Sequence, residues 1–489
     1  MVYFKYFLIN PNSINTKSNM KTRISILFLL IAGYVNAQNL EWVYSVETAP
    51  WQKEKSIKPL KPGFDIPVDI DVSDQKAQYI DGFGGCFNEM GWDALMTLPT
   101  QEQDNVIQNL FSPSQSNYTY CRMPIGASDY GLGFYSLNDV ADDFNMVNFN
   151  IHRDRYILIP YIKAALQKNP DIRIFASPWC PPAWMKTNNH YAGNTNGNGT
   201  DYNGMPEEKI TETPTTAFKM ERGYLKSYAL YFTKFIKAYA KEGIHISAVH
   251  VQNEPCSNQI FPSCNWHSED LSYFISDFLG PKFEEEKIGS DIYFGTINRD
   301  NPTYTKIALN NDKAAKYIKG VGFQWDGKGA IPTIHKEYPH LKIMQTESEC
   351  GNGANDWAAA EYTWGLINHY LSHGANVYAY WNMVLDDTGK SMWGWKQNAL
   401  ISINKESGKV TYNPEFYIMK HVSHFVSSGA YRLMTKAEKD NHLAFINPDG
   451  KIIVVVVNKE NIEKTIHIQI NGKIYPVSMK AKSFNTFSI

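Results

Sequence analysis

Apolar and polar positions change rhythm twice along this chain. After residue 38, "EWVYSVETAPWQKEK" and "FDIPVDIDVSD" alternate apolar with polar residues, the period of half-buried strands. From Gln78 the texture becomes strand-then-helix. Eight short apolar runs predict strands: "YIDGFGGCF", "YTYCRMPIG", "IRIFASPW", "ISAVHVQNEP", "DIYFGTIN", "KGVGFQW", "KIMQTESE" and "NVYAYWNMV". Helix-period segments lie between or after them, among them "TQEQDNVIQNLF", "RYILIPYIKAALQK", "GYLKSYALYFTKFIKAYAKE", "SEDLSYFISDFLGPKFEE", "WAAAEYTWGLINHYLSH" and "NPEFYIMKHVSHFV". Eight βα units over about 350 residues predict an α/β fold closed as a (β/α)8 TIM barrel. The competing open sheet calls for a GxGxxG turn after an early strand, and "GFGGCF" is a glycine-rich strand instead.

From about Leu433 the runs shorten to "HLAFINP", "KIIVVVVNKE", "TIHIQING", "KIYPVSM" and "SFNTFSI", split by turn signals such as "NPDG" and "NG". These predict a small side β-sandwich that the strands ahead of Gln78 help to build. The expected organisation is a leader over 1–37, sandwich strands over 38–77, a catalytic barrel over 78–430 and the remaining sandwich over 431–489.

The leader is read from Lys21 and Arg23, the apolar run "ISILFLLIAGYV" and the small residues Val35 to Ala37 before Gln38. The run is short for a membrane span of about 20 residues, and no Cys follows it to carry a lipid. An exported protein with no stable membrane insertion is expected, with Met20 as an alternative start. A net charge of -2 and the absence of a basic stripe exclude a nucleic-acid partner. Six cysteines do not make a disulfide scaffold, although Cys256 and Cys264 bracket one loop in an exported chain and invite a local bridge. No zinc spacing, no HExxH and no cofactor fingerprint is present, so no metal and no cofactor are expected.

Candidate chemistry collects at the carboxyl ends of the predicted strands, where a barrel of this type places its site. Reading those ends gives Arg122 and Asp129 after strand two and Trp179 after strand three. Strand four gives Asn253 and Glu254, stopped by Pro255. Strand six gives Gln324 and Trp325, strand seven Glu347, and strand eight Trp381, with Trp393 and Asn398 beyond. Two carboxylates from different strands with aromatics around them suit glycoside hydrolysis, which needs one protonated and one ionised carboxyl group about 5–5.5 Å apart for retention. Arg122 would hold a carboxylate ionised, leaving Glu254 alone with a raised pKa. Glu349 shares a strand face with Glu347, so spacing leaves the choice between them open. His250, Gln252 and Glu254 also share a face, which makes a metal site a formal alternative.

The segments "IDGFGGCFNEMGWDAL", "CRMPIGASDY", "ASPWCPPAWMKTN", "VHVQNEP", "MQTESECG" and "YWNMVLD" resemble glycoside hydrolase family 30, which holds glucosylceramidases and β-1,6-glucanases. The resemblance implies a barrel with a side sandwich built from both chain ends and a retaining double displacement. It makes Glu254 the acid/base and Glu347, after Thr346, the nucleophile, with Glu349 outside the match. It also implies that Asp129, Trp179, Asn253, Trp381 and Asn398 contact the terminal glucose. Glucosylceramidases carry His-Trp where this chain has Gln324-Trp325, a form that resembles the β-1,6-glucanase branch. The expected substrate is thus a β-1,6-glucan or related β-glucoside. Glucosylceramide, a xylan, or sugar binding without catalysis are the alternatives.

Overall fold

The computed structural model describes residues 39–63, 66–197 and 202–489; the predicted leader lies outside them. The chain enters through β1 (Leu40–Val46), β2 (Ala49–Ile57) and β3 (Ile70–Tyr79). Eight parallel strands follow: β4 (Gly82–Cys86), β5 (Tyr120–Pro124), β6 (Arg173–Ser177) and β7 (Ile246–His250), then β8 (Asp291–Ile297), β9 (Ile318–Gln324), β10 (Lys342–Glu347) and β11 (Val377–Asn382). They pair in chain order and close, β11 against β4. Nearly every residue in them is buried, because helices cover the outside and side chains fill the inside.

The inside is layered. Tyr120, Phe175, Ala248, Tyr293, Met344 and Val377 form one apolar cluster across the lower barrel. Two residues further along their strands come Arg122, Ser177, His250 and Thr346, all buried. Period-two alternation therefore stacks a polar layer directly on an apolar plug.

Several connections differ from the sequence pattern. Short helices at Pro302–Leu309, Asp312–Ala315 and Ile331–Glu337, which the periodicity does not announce, complete the outer ring. Two of them carry a proline within their first two residues, which suits a first helical turn but truncates the apolar repeat. The segment read as one helix over 268–285 runs instead as Ser268–Phe274, a π-turn over Ile275–Leu279, and Gly280–Glu286. Pro281 lacks the N–H that an uninterrupted helix needs there. Gly280 is required as well, since a Cβ would sit 2.3 Å from the Tyr317 ring.

After the barrel, β12 (Val384–Asp386), β13 (Ile401–Ile403) and β14 (Val410–Tyr412) make a small sheet over one end. The last six strands are β15 (Tyr431–Ala437), β16 (His442–Ile446), β17 (Ile452–Asn458), β18 (Lys464–Ile470), β19 (Lys473–Met479) and β20 (Ser483–Ser488). With the first three they form one nine-stranded sheet, ordered β19-β18-β3-β15-β16-β17-β20-β1-β2. Its two wings share a core of Trp42, Tyr44, Ile70, Val454, Ile468 and Val477, the sandwich.

The unbroken run "IIVVVV" in β17 has a physical reason. Ile452, Val454 and Val456 face the sandwich core, while Ile453, Val455 and Val457 join the barrel core. Buried on both faces, β17 has no polar side to show. His421, on the helix Pro414–Ser423, pins the same seam, its ring nitrogens meeting Thr486 Oγ1 at 2.9 Å and Ser45 Oγ at 2.8 Å. Among the described residues no helix is long and apolar enough to cross a membrane.

Candidate active site

The polar layer is organised by Arg122, whose side chain is fully buried. A buried guanidinium is tolerated only when its donors are spent. Here Nε and Nη2 both reach Ser177 Oγ, at 3.1 and 2.8 Å, and Nη2 donates to Asn253 Oδ1 at 2.6 Å. Nη1 donates to Glu347 Oε2 at 2.8 Å, to Thr346 O at 3.2 Å and to Gln324 Oε1 at 3.3 Å. The Trp179 ring covers the guanidinium at 4.3 Å and stacks on Trp381 with centroids 5.2 Å apart. Four strand ends are thereby tied to one cation.

Glu347 reaches this cation through an irregularity. The register of β10 against β9 slips between Gln345 and Glu347, and such a bulge re-aims the side chain that follows it. Thr346 stays on the inward face, its Oγ1 donating to Gln324 Oε1 at 2.9 Å, and Glu347 turns to Arg122 beside it. Glu349 leaves the group, with Lys328 Nζ donating to its Oε1 at 2.7 Å. Glu254 lies four residues past the end of β7, in the left-handed region at φ 46, and Trp325 shares that conformation at φ 49. Left-handed backbone at a non-glycine residue is strained, and both instances sit where the two carboxyls meet.

One amide joins those carboxyls. Gln324 Nε2 is 3.2 Å from Glu254 Oε1 and 3.1 Å from Glu347 Oε2, so those two oxygens are no more than about 6 Å apart. The amide orientation is set from behind, because its oxygen already accepts from Arg122 and Thr346. Glu347 collects two further donors, Arg122 and, on its other oxygen, Trp325 Nε1 at 2.9 Å, whereas Glu254 shares only the amide. Burial, reinforced by the neighbouring Glu347 charge, pushes Glu254 up to about 7. Burial raises Glu347 too, against the expectation that it would stay ordinary, and the opposing pull of Arg122, Trp325 and Gln324 makes Glu347 the member that carries the charge.

A cavity of about 410 Å³ opens over the pair. Asp129, Trp179, Asn253 and Trp325 line it together with Glu254 and Glu347. Asp129 Oδ1 is buried without a partner, and desolvation beside Glu347 and Glu254 drives its carboxyl well above the ordinary range. Asn253 Oδ1 takes donors from Arg122, Thr296 and Gln324, which leaves the NH2 end for the cavity.

Other predicted residues stand behind the wall. Arg122, Gln324 and Trp381 are fully buried supports. Asn398 is committed to protein, donating to Glu415 Oε1 at 2.6 Å and accepting from Gly353 N at 2.7 Å. Trp393 packs on Phe134 with centroids 5.2 Å apart. His250, Gln252 and Glu254 do not converge. His250 is wedged against Phe175 and Tyr293, and Gln252 Nε2 is spent on the Trp179 and Asn253 carbonyls. Among the described residues no His, Cys, Asp and Glu cluster is arranged to hold a metal.

Cys256 and Cys264 are not bridged, which corrects the disulfide expectation. The loop turns them into different surroundings, Cys256 toward Arg299 and Tyr304, Cys264 toward Lys186 and Cys180. Sequence reasoning also missed Ser257, Gln259, Phe261, Asn298, Arg299 and Trp395, which line the cavity. Asn298 and Arg299 directly follow β8, so reading the end of strand five as the others were read finds them. Ser257, Gln259, Phe261 and Trp395 come from loops without periodicity and give no such signal.

The fold has counterparts among known proteins. Residues 80–426 match the model of the glycosyl hydrolase family 30 TIM-barrel domain, and residues 429–487 that of the family's beta sandwich domain. A putative glucosylceramidase of Caenorhabditis elegans is 31% identical over 421 residues, 81% of this chain and 76% of the relative. An endo-1,6-beta-D-glucanase of Aspergillus fumigatus is 28% identical over 405 residues, 79% of this chain and 80% of the relative. Among solved structures, SrfJ of Salmonella typhimurium superposes with TM-score 0.81 at 22% identity, covering 92% of this chain and 99% of SrfJ. An endo-beta1,6-glucanase superposes with TM-score 0.78, also at 22% identity, covering 92% and 98%. With both of its parts matched in order, and its carboxyl pair at the barrel mouth, this chain belongs to glycoside hydrolase family 30.

Proposed function

We propose that the protein is a retaining β-glucoside hydrolase acting by double displacement, and that its substrate is a β-1,6-linked glucan. The observation that carries the mechanism is the shared Gln324 amide with its unequal partners. It holds the nearest oxygens of the two carboxyls to no more than about 6 Å apart, short of the roughly 6.5–9.5 Å that inversion needs. It also leaves Glu347 with three donors and Glu254 with one.

In the first step a Glu347 oxygen forms a bond to the anomeric carbon as the glycosidic C–O bond breaks. The Glu254 proton passes to the leaving oxygen. In the second, water gives its proton to Glu254 and its oxygen to the anomeric carbon, and the bond to Glu347 breaks. Glu254, lifted to about 7, holds its proton near neutral pH and can return to that state each cycle. Asp129, buried and unpaired beside the reacting pair, receives sugar hydroxyls.

The choice of glucan over lipid rests on Gln324-Trp325 at the end of β9 and on a cavity wall with Ser257, Gln259, Asn298 and Arg299 in it. A second reading, glucosylceramide, is favoured by the glucosylceramidase names of relatives such as those of Caenorhabditis elegans and Mus musculus. The leader that the sequence predicts over residues 1–37 supports an exported enzyme.

The test is product analysis on linear β-1,6-glucan with wild-type protein and Glu347→Gln. Released gluco-oligosaccharides, lost in the variant, uphold both substrate and nucleophile. Turnover that survives Glu347→Gln refutes the nucleophile. Cleavage of glucosylceramide with no action on the glucan moves the substrate to the second reading.

A further inference from the structure

One wall of the cavity hangs on a buried lysine. Lys186 is fully buried, and its Nζ donates to three main-chain carbonyls: Tyr191 O and Ala192 O, each at 3.0 Å, and Ser263 O at 2.6 Å. Among the described residues no carboxylate pairs with it. An ammonium taken out of water without a counter-charge is a costly way to fasten two loops. Here it fastens the segment after β6 to the loop that follows Glu254. The seam continues beside it, with Gly193 N donating to Gln259 O at 2.9 Å and Ser263 N to Tyr191 O at 3.0 Å.

The fastened loop matters because of what it carries. Ser257, Gln259 and Phe261 line the cavity. Asn298 Nδ2 donates to Ser257 Oγ at 2.6 Å, and Asn298 Oδ1 is buried at the cavity with no partner. The Phe261 ring meets Trp395 edge-on, with centroids 4.7 Å apart. This wall adjoins Glu254, and the group beside a proton donor is the leaving group. An orphaned amide acceptor and two aromatic rings lining one cavity suit a ring with hydroxyls on its edge and C–H groups on its faces. A hydrocarbon chain would leave the Asn298 oxygen unpaired.

We infer that this wall is a leaving-group subsite for a second hydroxylated sugar ring, and that Lys186 is the positioning residue that sets it. The inference rests on the hydrolase reading above and adds the residues that discriminate the leaving group. Lys186 touches neither carboxyl nor the cavity, so its loss acts only through the loop.

The experiment compares kcat and KM of wild type and Lys186→Met on two substrates, an aryl β-glucoside and a β-1,6-linked gluco-oligosaccharide. For Lys186→Met the expected result is a tenfold or larger fall in oligosaccharide kcat/KM, mostly through KM, with aryl glucoside kinetics within about threefold of wild type. Equal losses on both substrates, or no loss on either, overturn the inference. Should Lys186→Met fail to fold, Asn298→Ala carries the test: a fivefold or larger rise in oligosaccharide KM supports the subsite, and an unchanged KM overturns it. Wild-type protein inert on both substrates removes the hydrolase reading, and this inference with it. An active wild type with parallel losses in the variant removes this inference alone.

Discussion

Replacing Gln324 by leucine keeps roughly the side-chain volume and deletes the amide that both carboxyls share. Glu254 loses its donor at 3.2 Å, and Glu347 loses one of three, at 3.1 Å. A hydrogen bond to a charged group contributes about 1.5–3 kcal/mol. The lower end applies, because two amide hydrogens serve three acceptors, Asn253 Oδ1 being the third. About 1.4 kcal/mol corresponds to one pH unit. Losing a donor to the ionised form raises both carboxyls, so both limbs of the kcat/KM bell move to higher pH by roughly one unit. The alkaline limb moves from about 7, where burial and the Glu347 charge place Glu254, toward 8. The acidic limb, set by Glu347, rises alongside. At a fixed pH on that acidic limb the variant is about tenfold slower, and on the alkaline limb it overtakes wild type. Initial rates on an aryl β-glucoside across pH 4 to 9, a range of about five units around the ordinary carboxylate and the raised one, read this directly. Thr346 Oγ1 and Arg122 Nη1 also lose an acceptor, costing about 1–3 kcal/mol of stability, so thermal melts accompany the kinetics. A bell that loses height without moving refutes the shared-amide argument.

Glu254→Gln removes the proton donor at nearly constant shape. It should cost about 10²–10⁴-fold on unactivated glucosides while sparing the first step on aryl glucosides with good leaving groups, and the alkaline limb near 7 should vanish. Equal losses on both substrate types, seen in burst kinetics, count against the assignment. Trp357 lies on Phe484 with centroids 4.4 Å apart, joining a barrel helix to β20. Trp357→Ala should lower stability by about 3–5 kcal/mol, measured by denaturant unfolding. Glu415 is buried with one oxygen unpartnered, and burial lifts it from its ordinary 4.5 to about 7. A carboxyl raised on folding stabilises below about 4.5 and loses that contribution as pH climbs toward 7, roughly 3 kcal/mol in all. Urea unfolding of Glu415→Gln should show the variant gaining on wild type between pH 4.5 and 8 by that order. A constant difference sinks the idea.

Strand ends were the most legible part of this sequence, and for a physical reason. Each barrel strand is an apolar run stopped by a polar residue, and closure brings all eight stops to one face. Glu254 and Arg122 could be placed in that way. Period two could not choose between Glu347 and Glu349, because the register slip in β10 decides it, and a slip leaves no mark in apolar spacing. Asn398 and Trp381 fall near the mouth by position, yet one is spent on Glu415 and the other is packed behind Trp179. Sequence gives proximity along the chain and not which partner saturates a side chain. The wall of Ser257, Phe261 and Trp395 was hidden for a related reason: residues well over a hundred positions apart meet only after loops fold over the barrel.

The nine-stranded sheet has a consequence in time. Glu41 lies opposite Ser488, and β1 sits between β20 and β2. A ribosome delivers β1 hundreds of residues before β20, and β3 hundreds of residues before β15 and β18. The barrel can close as soon as β11 emerges, but β1 and β3 then still expose apolar residues such as Trp42, Tyr44 and Ile70. Pairings of such long sequence separation form late and leave aggregation-prone edges in the meantime. A nascent chain that stops short of β20 therefore carries a finished barrel and a β1 edge with no strand beside it. Quality control of this enzyme should be most sensitive to damage at its far end, the part most distant from the chemistry.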